Sequence, residues 1–353
     1  MNEEFISILK DLKYFINTRR PIKKIAIFGT IKEGTKAYNI LKSARIEVVN
    51  FFDNDKFKHN KELFGLAILD PALINKNTSD IVIASQWCND IAQQIKSVSS
   101  YKQNIYTMLD FNYTKSFSED DVNSITELYH HLLDNDSKEI LISILKYRLN
   151  LNPIKLSSYK QYFHPIVNVD ENDIIIDGGA YDGDTIRDFK LAGYNNLEIH
   201  SFEPDDNSYK KLVKEKEHSS FKIFTVKKGL FDRDTTLRFS SFSQDGHYDD
   251  GAKIDKEGRI IIETTTIDSY CLQNNIAPDF IKLDIEGSEI HALIGAKNII
   301  QKYKPKLAIC VYHEYDHLWT IYNLIKTINK DYKFYLGHHH ANSFYETVLY
   351  AKQ

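Results

Sequence analysis

The stretch Asp173-Ile-Ile-Ile-Asp177-Gly178-Gly179-Ala180-Tyr181-Asp182-Gly183-Asp184-Thr185 decides the fold. It opens with a β-branched apolar run of strand length, turns through three glycines and resumes with residues suited to a helix start. A strand that feeds a glycine turn and then a helix is the first half of a β-α-β unit. Glycines at 178, 179 and 183 remove side chains where a small molecule must lie against main chain, and the following helix presents unpaired N–H groups. Further along, Ile199-His-Ser-Phe202 delivers Glu203 and Pro204 at a strand tip. A carboxylate in that place accepts the hydroxyl hydrogens of a ribose. The turn is not GxGxxG, and Asp177 would repel a pyrophosphate while attracting an ammonium or sulfonium group. These features favour S-adenosylmethionine over a dinucleotide.

Working outward, apolar runs predict seven strands at 174–177, 197–202, 222–226, 280–284, 306–312, 332–336 and 345–351, with helices between most of them. Two further alternating runs, from Thr236 to Ser240 and from Arg259 to Thr264, read as hairpin strands around a polar loop from Ser243 to Gly258. A loop that long is expected to serve function, here the choice of acceptor. Upstream, a helix over 3–17 precedes a strand from Lys24 into Gly29, a helical stretch to Ala44, a strand over 47–52 and another from Asp80 to Ser85. Residues 21–112 therefore read as a small parallel α/β domain. Between the halves, Ser118-Glu-Asp-Asp121 signals a capping box, and Ile140, Leu141, Ile144, Leu145 and Leu149 form a helical stripe. The expected organisation is a Rossmann-like domain at 1–115, a helical linker at 116–168 and a second α/β domain at 169–353.

Forty-five Lys and Arg against 49 Asp and Glu give a net charge of -4, which supplies no field for holding a phosphate backbone. Nucleic acid is therefore not the expected partner. No apolar run approaches the roughly 20 residues that a bilayer span requires, and the opening residues lack a signal-peptide pattern. The reading is a cytoplasmic protein. Cys88, Cys271 and Cys310 are far apart and lack metal-type spacing, so they are expected to be buried thiols.

Chemistry concentrates in two places. Phe280-Ile-Lys282-Leu283-Asp284-Ile285-Glu286-Gly287-Ser288-Glu289 sets Asp284 at a strand's carboxyl end, where open α/β sheets bind ligands. Asp284 and Glu286 can coordinate an acceptor, take a proton from a hydroxyl or hold a divalent ion such as magnesium. Downstream, the fifth strand ends at His313, with His317 expected to face solvent on the next helix and His338 near the last hairpin. A neutral histidine near pH 7 suits a general base, which makes His313 the candidate.

Taken together, IDGGAYDGDT, SFEPD at 201–205, KLDIEGSEIHALIGA at 282–296, VYHEYDHLW at 311–319 and the terminal ETVLYA resemble, in order, the FkbM family of S-adenosylmethionine-dependent methyltransferases. The resemblance covers about 138–351. It implies a class I methyltransferase fold, Rossmann-like, with a seven-stranded sheet whose last strand is antiparallel, and O-methyl transfer to a sugar of a polysaccharide, glycolipid or nucleotide sugar. Carried over residue by residue, Asp177, Gly179 and Gly183 would line the methionine end of the cofactor, Glu203 the ribose, and Gly229 and Leu230 the adenine. Gly178, Ala180, Tyr181, Thr185, Pro204 and Asp284 complete the expected cofactor set, while Asp284, with Glu286 and His313, would flank the transferred methyl. A magnesium ion is permitted without being required, and no ligand set is assigned to it.

The amino-terminal domain resembles small Rossmann-like modules that precede some sugar-modifying enzymes. Gly29, Gly34 and Asp53 mark where a ligand would bind, but GTIKEG departs from GxGxxG, so an architectural or dimerising role competes with ligand binding. Two other functions compete with methyl transfer: a non-catalytic cofactor or nucleotide-sugar binder acting in assembly or regulation, and a nucleotide-sugar dehydrogenase or epimerase, disfavoured because neither glycine turn has the full dinucleotide pattern and no YxxxK motif follows a suitable helix.

Overall fold

Lys24-Ile-Ala-Ile-Phe28 has one exposed position followed by four buried ones, and Ile174-Ile-Ile-Asp-Gly178 is likewise buried over its last four. Such continuous burial is the mark of parallel strands covered on both faces. The computed structural model describes residues 2–18, 22–76, 79–100, 104–108, 118–240, 253–254, 258 and 260–353. Two compact units emerge, one of Met1–Asn123, Glu139–Leu156 and His340–Tyr345, the other of Ser124–Lys138, Ser157–His339 and Glu346–Gln353. The segment expected to be a helical linker is thus divided between the two.

In the first unit, the helix Glu3–Thr18 precedes the strands β1 (Lys24–Phe28), β2 (Glu47–Phe52), β3 (Glu62–Leu63), β4 (Leu66–Leu69), β5 (Asp80–Ile83) and β6 (Ile105–Thr107). They form one sheet in the order β3-β4-β2-β1-β5-β6, parallel except for the β3–β4 pair. Ile25, Ile27, Phe51 and Val82 pack with Ala37 and Leu41 of the helix Lys32–Ser43 in its core. The capping box is present, because Ser118 N–H donates to Asp121 Oδ2 at 2.7 Å and Asp121 N–H donates back to Ser118 Oγ at 3.3 Å. The helix it opens is Glu119–His131. On the helix Asn135–Asn150, Ile140, Leu141, Ile142, Ile144, Leu145 and Tyr147 are all buried, so its apolar surface is broader than the expected stripe.

The second unit holds the remaining strands: β7 (Ile174–Gly178), β8 (Glu198–Phe202), β9 (Lys222–Val226), β10 (Gly229–Leu230), β11 (Thr235–Ser240), β12 (Lys253–Ile254), β13 (Ile260–Thr265), β14 (Phe280–Leu283), β15 (Lys306–Cys310), β16 (Lys333–His338) and β17 (Thr347–Lys352). Seven of them make a sheet in the order β16-β17-β15-β14-β7-β8-β9. Only β17 runs antiparallel, against both β15 and β16, as the resemblance implies. The direction of winding reverses between β7 and β14. Strands β11 and β13 form the expected hairpin and join β10 and β12 in a separate four-stranded sheet. Of the loop from Ser243 to Gly258, all but Lys253, Ile254 and Gly258 lies outside the described residues.

Helix caps fix where the chain enters each crossover. Asp205, 3% exposed, accepts from the N–H groups of Asn207 and Ser208, both at 2.9 Å, and starts the helix Asp206–Glu217. Thr266 Oγ1 accepts from Ser269 N–H at 2.9 Å in the same way, and Asn275 closes that helix in the left-handed conformation. Among the described residues, no helix is long and apolar enough to cross a membrane. Replacing Asp205 by Ala should lower the unfolding free energy of the second unit by about 1–2 kcal/mol in urea titration, because two helix-start N–H donors, one of them buried, lose their acceptor.

Candidate active site

The glycine turn and the end of β14 meet at the reversal point of the sheet, where ligands bind in open α/β folds. Gly179 has φ +71, and a Cβ on it would lie 1.9 Å from the Asp284 carbonyl oxygen, so no other residue fits without moving the strand end. Gly178 is closely packed by side chains, since a Cβ there would meet Leu283 Cδ2 at 2.8 Å and Leu230 Cδ1 at 2.9 Å. That contact brings the Gly229–Leu230 strand to the turn. Gly183, φ +87, stands at the N-cap of the helix Asp184–Leu191. Tyr181 is exposed with φ 46 and donates its N–H to Glu203 Oε2 at 2.9 Å. Glu203 Oε1 accepts from Asp205 N–H at 2.8 Å, so the carboxylate is pinned to the turn by main chain alone. Burial pushes Glu203 up to about 7, although both N–H donors act against the rise. Pro204 is half-buried beside it, whereas Ala180 and Thr185 are buried.

Asp177 does not act as a charge offered to a ligand. It is fully buried and lies opposite Lys282 in the β7–β14 register, with Lys282 Nζ at 3.0 Å from its Oδ1. The same ammonium donates to the carbonyls of Gly178 at 3.1 Å and Gly179 at 2.7 Å. The expected attraction for a sulfonium is therefore already taken up inside the protein.

Asp284 follows directly on β14, its N–H donating to Gly178 O at 3.1 Å. Its Oδ2 accepts from the Tyr162 hydroxyl at 2.8 Å and its Oδ1 from the Tyr312 hydroxyl at 3.0 Å. Burial first, and the Asp284 charge next, push both phenols well above their usual range. His313 Nε2 lies 3.4 Å from Asp284 Oδ1 and 3.8 Å from Glu286 Oε2. Its other nitrogen is 2.9 Å from Glu289 Oε1, and the second oxygen of this fully buried carboxylate is 3.3 Å from His317 Nδ1. Burial opposes the charge on His313, but Glu289, Glu286 and Asp284 outweigh it and push the ring up to about 10. The surrounding carboxylates thus favour the protonated ring, which does not suit the neutral base expected of His313. His317 is 3% exposed and does not face solvent as expected. His338 is buried against Thr347 Oγ1 at 2.8 Å and is a sheet residue. Among the described residues, no three His, Cys, Asp or Glu side chains are arranged to hold a metal ion.

Residues 177–336 match the family described as methyltransferase FkbM domain, and residues 21–106 match C2185-like, N-terminal. The carboxyl-terminal unit carries an FkbM methyltransferase domain. The crystal structure of methyltransferase FkbM from Methylobacillus flagellatus KT shares the fold of this chain over 99% of its length and 98% of its own, with a TM-score of 0.68 and 22% identity. Two further structures align less well. UDP-D-quinovosamine 4-dehydrogenase from Vibrio fischeri aligns over 29% of this chain and 98% of its own, at 23% identity and a TM-score of 0.23. Precorrin-6y C5,15-methyltransferase from Geobacter metallireducens GS-15 covers 53% and 84%, at 11% identity and a TM-score of 0.32. Comparison with curated proteins gives no match.

Within the FkbM domain the structure joins the turn, Glu203, Gly229–Leu230 and Asp284 into one site and sets Glu286 and His313 at its rim. Three contributors escape a reading of the sequence. Lys282 carries a signal, since a lone charge within a four-residue buried strand needs a partner. Glu289 reads as a helix-end charge, and Tyr162 lies in irregular chain without any motif. Lys282→Met should destabilise the domain by about 3–5 kcal/mol by stranding a buried carboxylate. The double variant Asp177→Leu/Lys282→Met should regain most of that loss, as guanidinium titrations of the three proteins will show.

Proposed function

We propose that the FkbM domain is an S-adenosylmethionine-dependent O-methyltransferase acting on a hydroxyl of a sugar-containing small molecule or glycan. The observation that supports this reading is that two acidic residues join the glycine turn: Glu203, whose carboxylate takes the Tyr181 N–H, and Asp284, whose main-chain carbonyl packs against Gly179 while its carboxylate is held by Tyr162 and Tyr312. The residues fit the cofactor in type and place. A side chain at Gly179 would obstruct the turn, and each Glu203 oxygen, bonded to one N–H, keeps a lone pair for a ribose hydroxyl. When bound, S-adenosylmethionine supplies a methyl group on a positively charged sulfur, open to attack by oxygen.

Asp284 is the proton acceptor in this scheme. Tyr162 and Tyr312 keep their own protons and orient the carboxylate, leaving its remaining lone pairs for the acceptor hydroxyl. His313, held cationic by Glu289, faces the same carboxylate and keeps it ionised, ready to take the hydroxyl proton as the oxygen attacks the methyl group. Holding the acceptor oxygen in place supplies much of the acceleration. No step is assigned to a metal, since among the described residues no His, Cys, Asp and Glu side chains are grouped to hold one. The sugar class rests on the family resemblance, and the acidic net charge of -4 agrees with an acceptor that is not a nucleic acid. The same reading places the reaction in the cytoplasm.

Turnover is tested by S-adenosylhomocysteine release in the presence of a panel of sugars, nucleotide sugars and glycans. Asp284→Asn should lower kcat by about 100-fold or more while leaving S-adenosylmethionine affinity intact. Product release at the wild-type rate in that variant would remove the proposed base. Glu203 adds a pH dependence whose sign is fixed: the ionised form accepts ribose hydroxyls better, and it is lost as pH falls through about 7. Affinity for S-adenosylhomocysteine, read by calorimetry, should thus weaken between pH 8 and pH 6 by up to about tenfold. Glu203→Gln should bind more weakly and show a flat profile; a wild-type profile in that variant would place the ribose elsewhere.

A further inference from the structure

The amino-terminal unit has a cavity of its own. Its parallel strands lie in the order β4-β2-β1-β5-β6, so the winding reverses between β1 and β5. Outside the carboxyl ends of these strands lies a cavity of about 370 Å³, bordered by Gly29 and Thr30 after β1, Asp53 and Lys58 after β2, and Ser85 and Trp87 after β5. Ligands of open parallel sheets bind in this place. Gly29 has φ +114 and a Cβ on it would stand 2.3 Å from Ala84 O, while one on Gly34 would stand 2.2 Å from Gly29 O. The two glycines therefore keep the turn tight against both Ala84, the residue after β5, and its own helix.

The polar lining is organised. Asp53, at the tip of β2, accepts from the Thr30 hydroxyl, from Lys58 Nζ at 3.1 Å and from Asp55 N–H at 2.8 Å. Its place is that of the acid which receives ribose hydroxyls in nucleotide-binding α/β folds. Trp87, 59% exposed, offers an aromatic face beside it. The helices Lys32–Ser43 and Cys88–Val98 both start at the cavity, after Ile31 and Trp87, and neither start is capped by a side chain. An anionic group fits those ends, with Lys58 as a nearby cation.

We propose that this cavity is a second small-molecule site, built for the nucleoside diphosphate group shared by free nucleotides, nucleotide sugars and dinucleotides, with Asp53 on the ribose and Trp87 against the base. It is separate from the methyl-transfer site and does not depend on that assignment. The chain has two tryptophans, and Trp319 is 1% exposed, so a ligand in the cavity reports through Trp87. The experiment titrates the full chain with UDP, ADP, UDP-glucose, NAD and inorganic phosphate, with and without saturating S-adenosylhomocysteine, following emission and heat.

The expected result is saturable quenching by at least one diphosphate compound, unchanged by S-adenosylhomocysteine. Trp87→Ala, at an exposed position that leaves the fold intact, should lose the quench and bind about tenfold more weakly by calorimetry. Asp53→Asn should weaken binding similarly. UDP-glucose binding above UDP supports a nucleotide sugar as the source of the group, and NAD above both supports a dinucleotide. The proposal is overturned by no saturable response to any of the four nucleotides at millimolar concentration, by phosphate binding as tightly as UDP, by competition from S-adenosylhomocysteine, or by wild-type nucleotide affinity in both variants.

Discussion

The carboxyl-terminal site is organised by one ion pair at the centre of its sheet. Asp177 and Lys282 face each other across β7 and β14, the two strands between which the winding reverses, with side chains 0% and 3% exposed. Burial opposes the charge on Lys282, but Asp177, Asp284 and Asp184 together hold it more firmly than in water. Such a pair adds little net stability, because desolvation of both charges offsets most of their attraction. Its value is positional. The ammonium also takes the carbonyls of Gly178 and Gly179, so the glycine turn cannot slide along β14 without breaking bonds to a buried cation. Gly179 in turn must remain a glycine because the Asp284 carbonyl occupies the space of its Cβ. The turn, the strand end and the candidate base are thereby held as one rigid piece.

A second buried carboxylate governs the rim. Glu289 has no exposed surface, and His313 and His317 approach its two oxygens from different sides. Burial would raise its pKa, but the two rings hold it well below the usual carboxylate range. The positive partner of this arrangement, His313, then sits between two acids of the site, Asp284 and Glu286. A histidine so placed is an electrostatic element, and proton acceptance passes to Asp284.

Sequence pattern locates the strands and the turn closely, since both are local. Apolar runs of strand length and glycine positions are read from neighbours in the chain, and the seven strands of the main sheet lie within a few residues of their expected bounds. The acid at the tip of β8 is legible for the same reason. What the pattern misses depends on partners distant in sequence. Tyr162 reaches Asp284 from a stretch with no periodicity, and the protonation of His313 is set by Glu289 on the far side of a turn. Asp177 shows the limit most clearly: alone, a carboxylate beside a glycine turn suggests attraction for a cationic ligand, and only the register with Lys282 reveals that the cation is already supplied.

The two units repeat one topology and diverge at its second strand tip. Both place five parallel strands in the order third, second, first, fourth, fifth along their chains, with a glycine turn after the first and an acid after the second. Burial tends to raise the pKa of each acid, yet the outcomes oppose one another. Thr30, Asp55 N–H and Lys58 hold Asp53 below the usual carboxylate range, whereas Glu203 has only main-chain N–H donors and rises to about 7. A carboxylate with a cation beside it stays charged across the physiological range; one held by neutral dipoles in a dry site gains and loses its proton there. The difference follows from the partners each acid meets, and it gives two sites of common architecture different responses to pH.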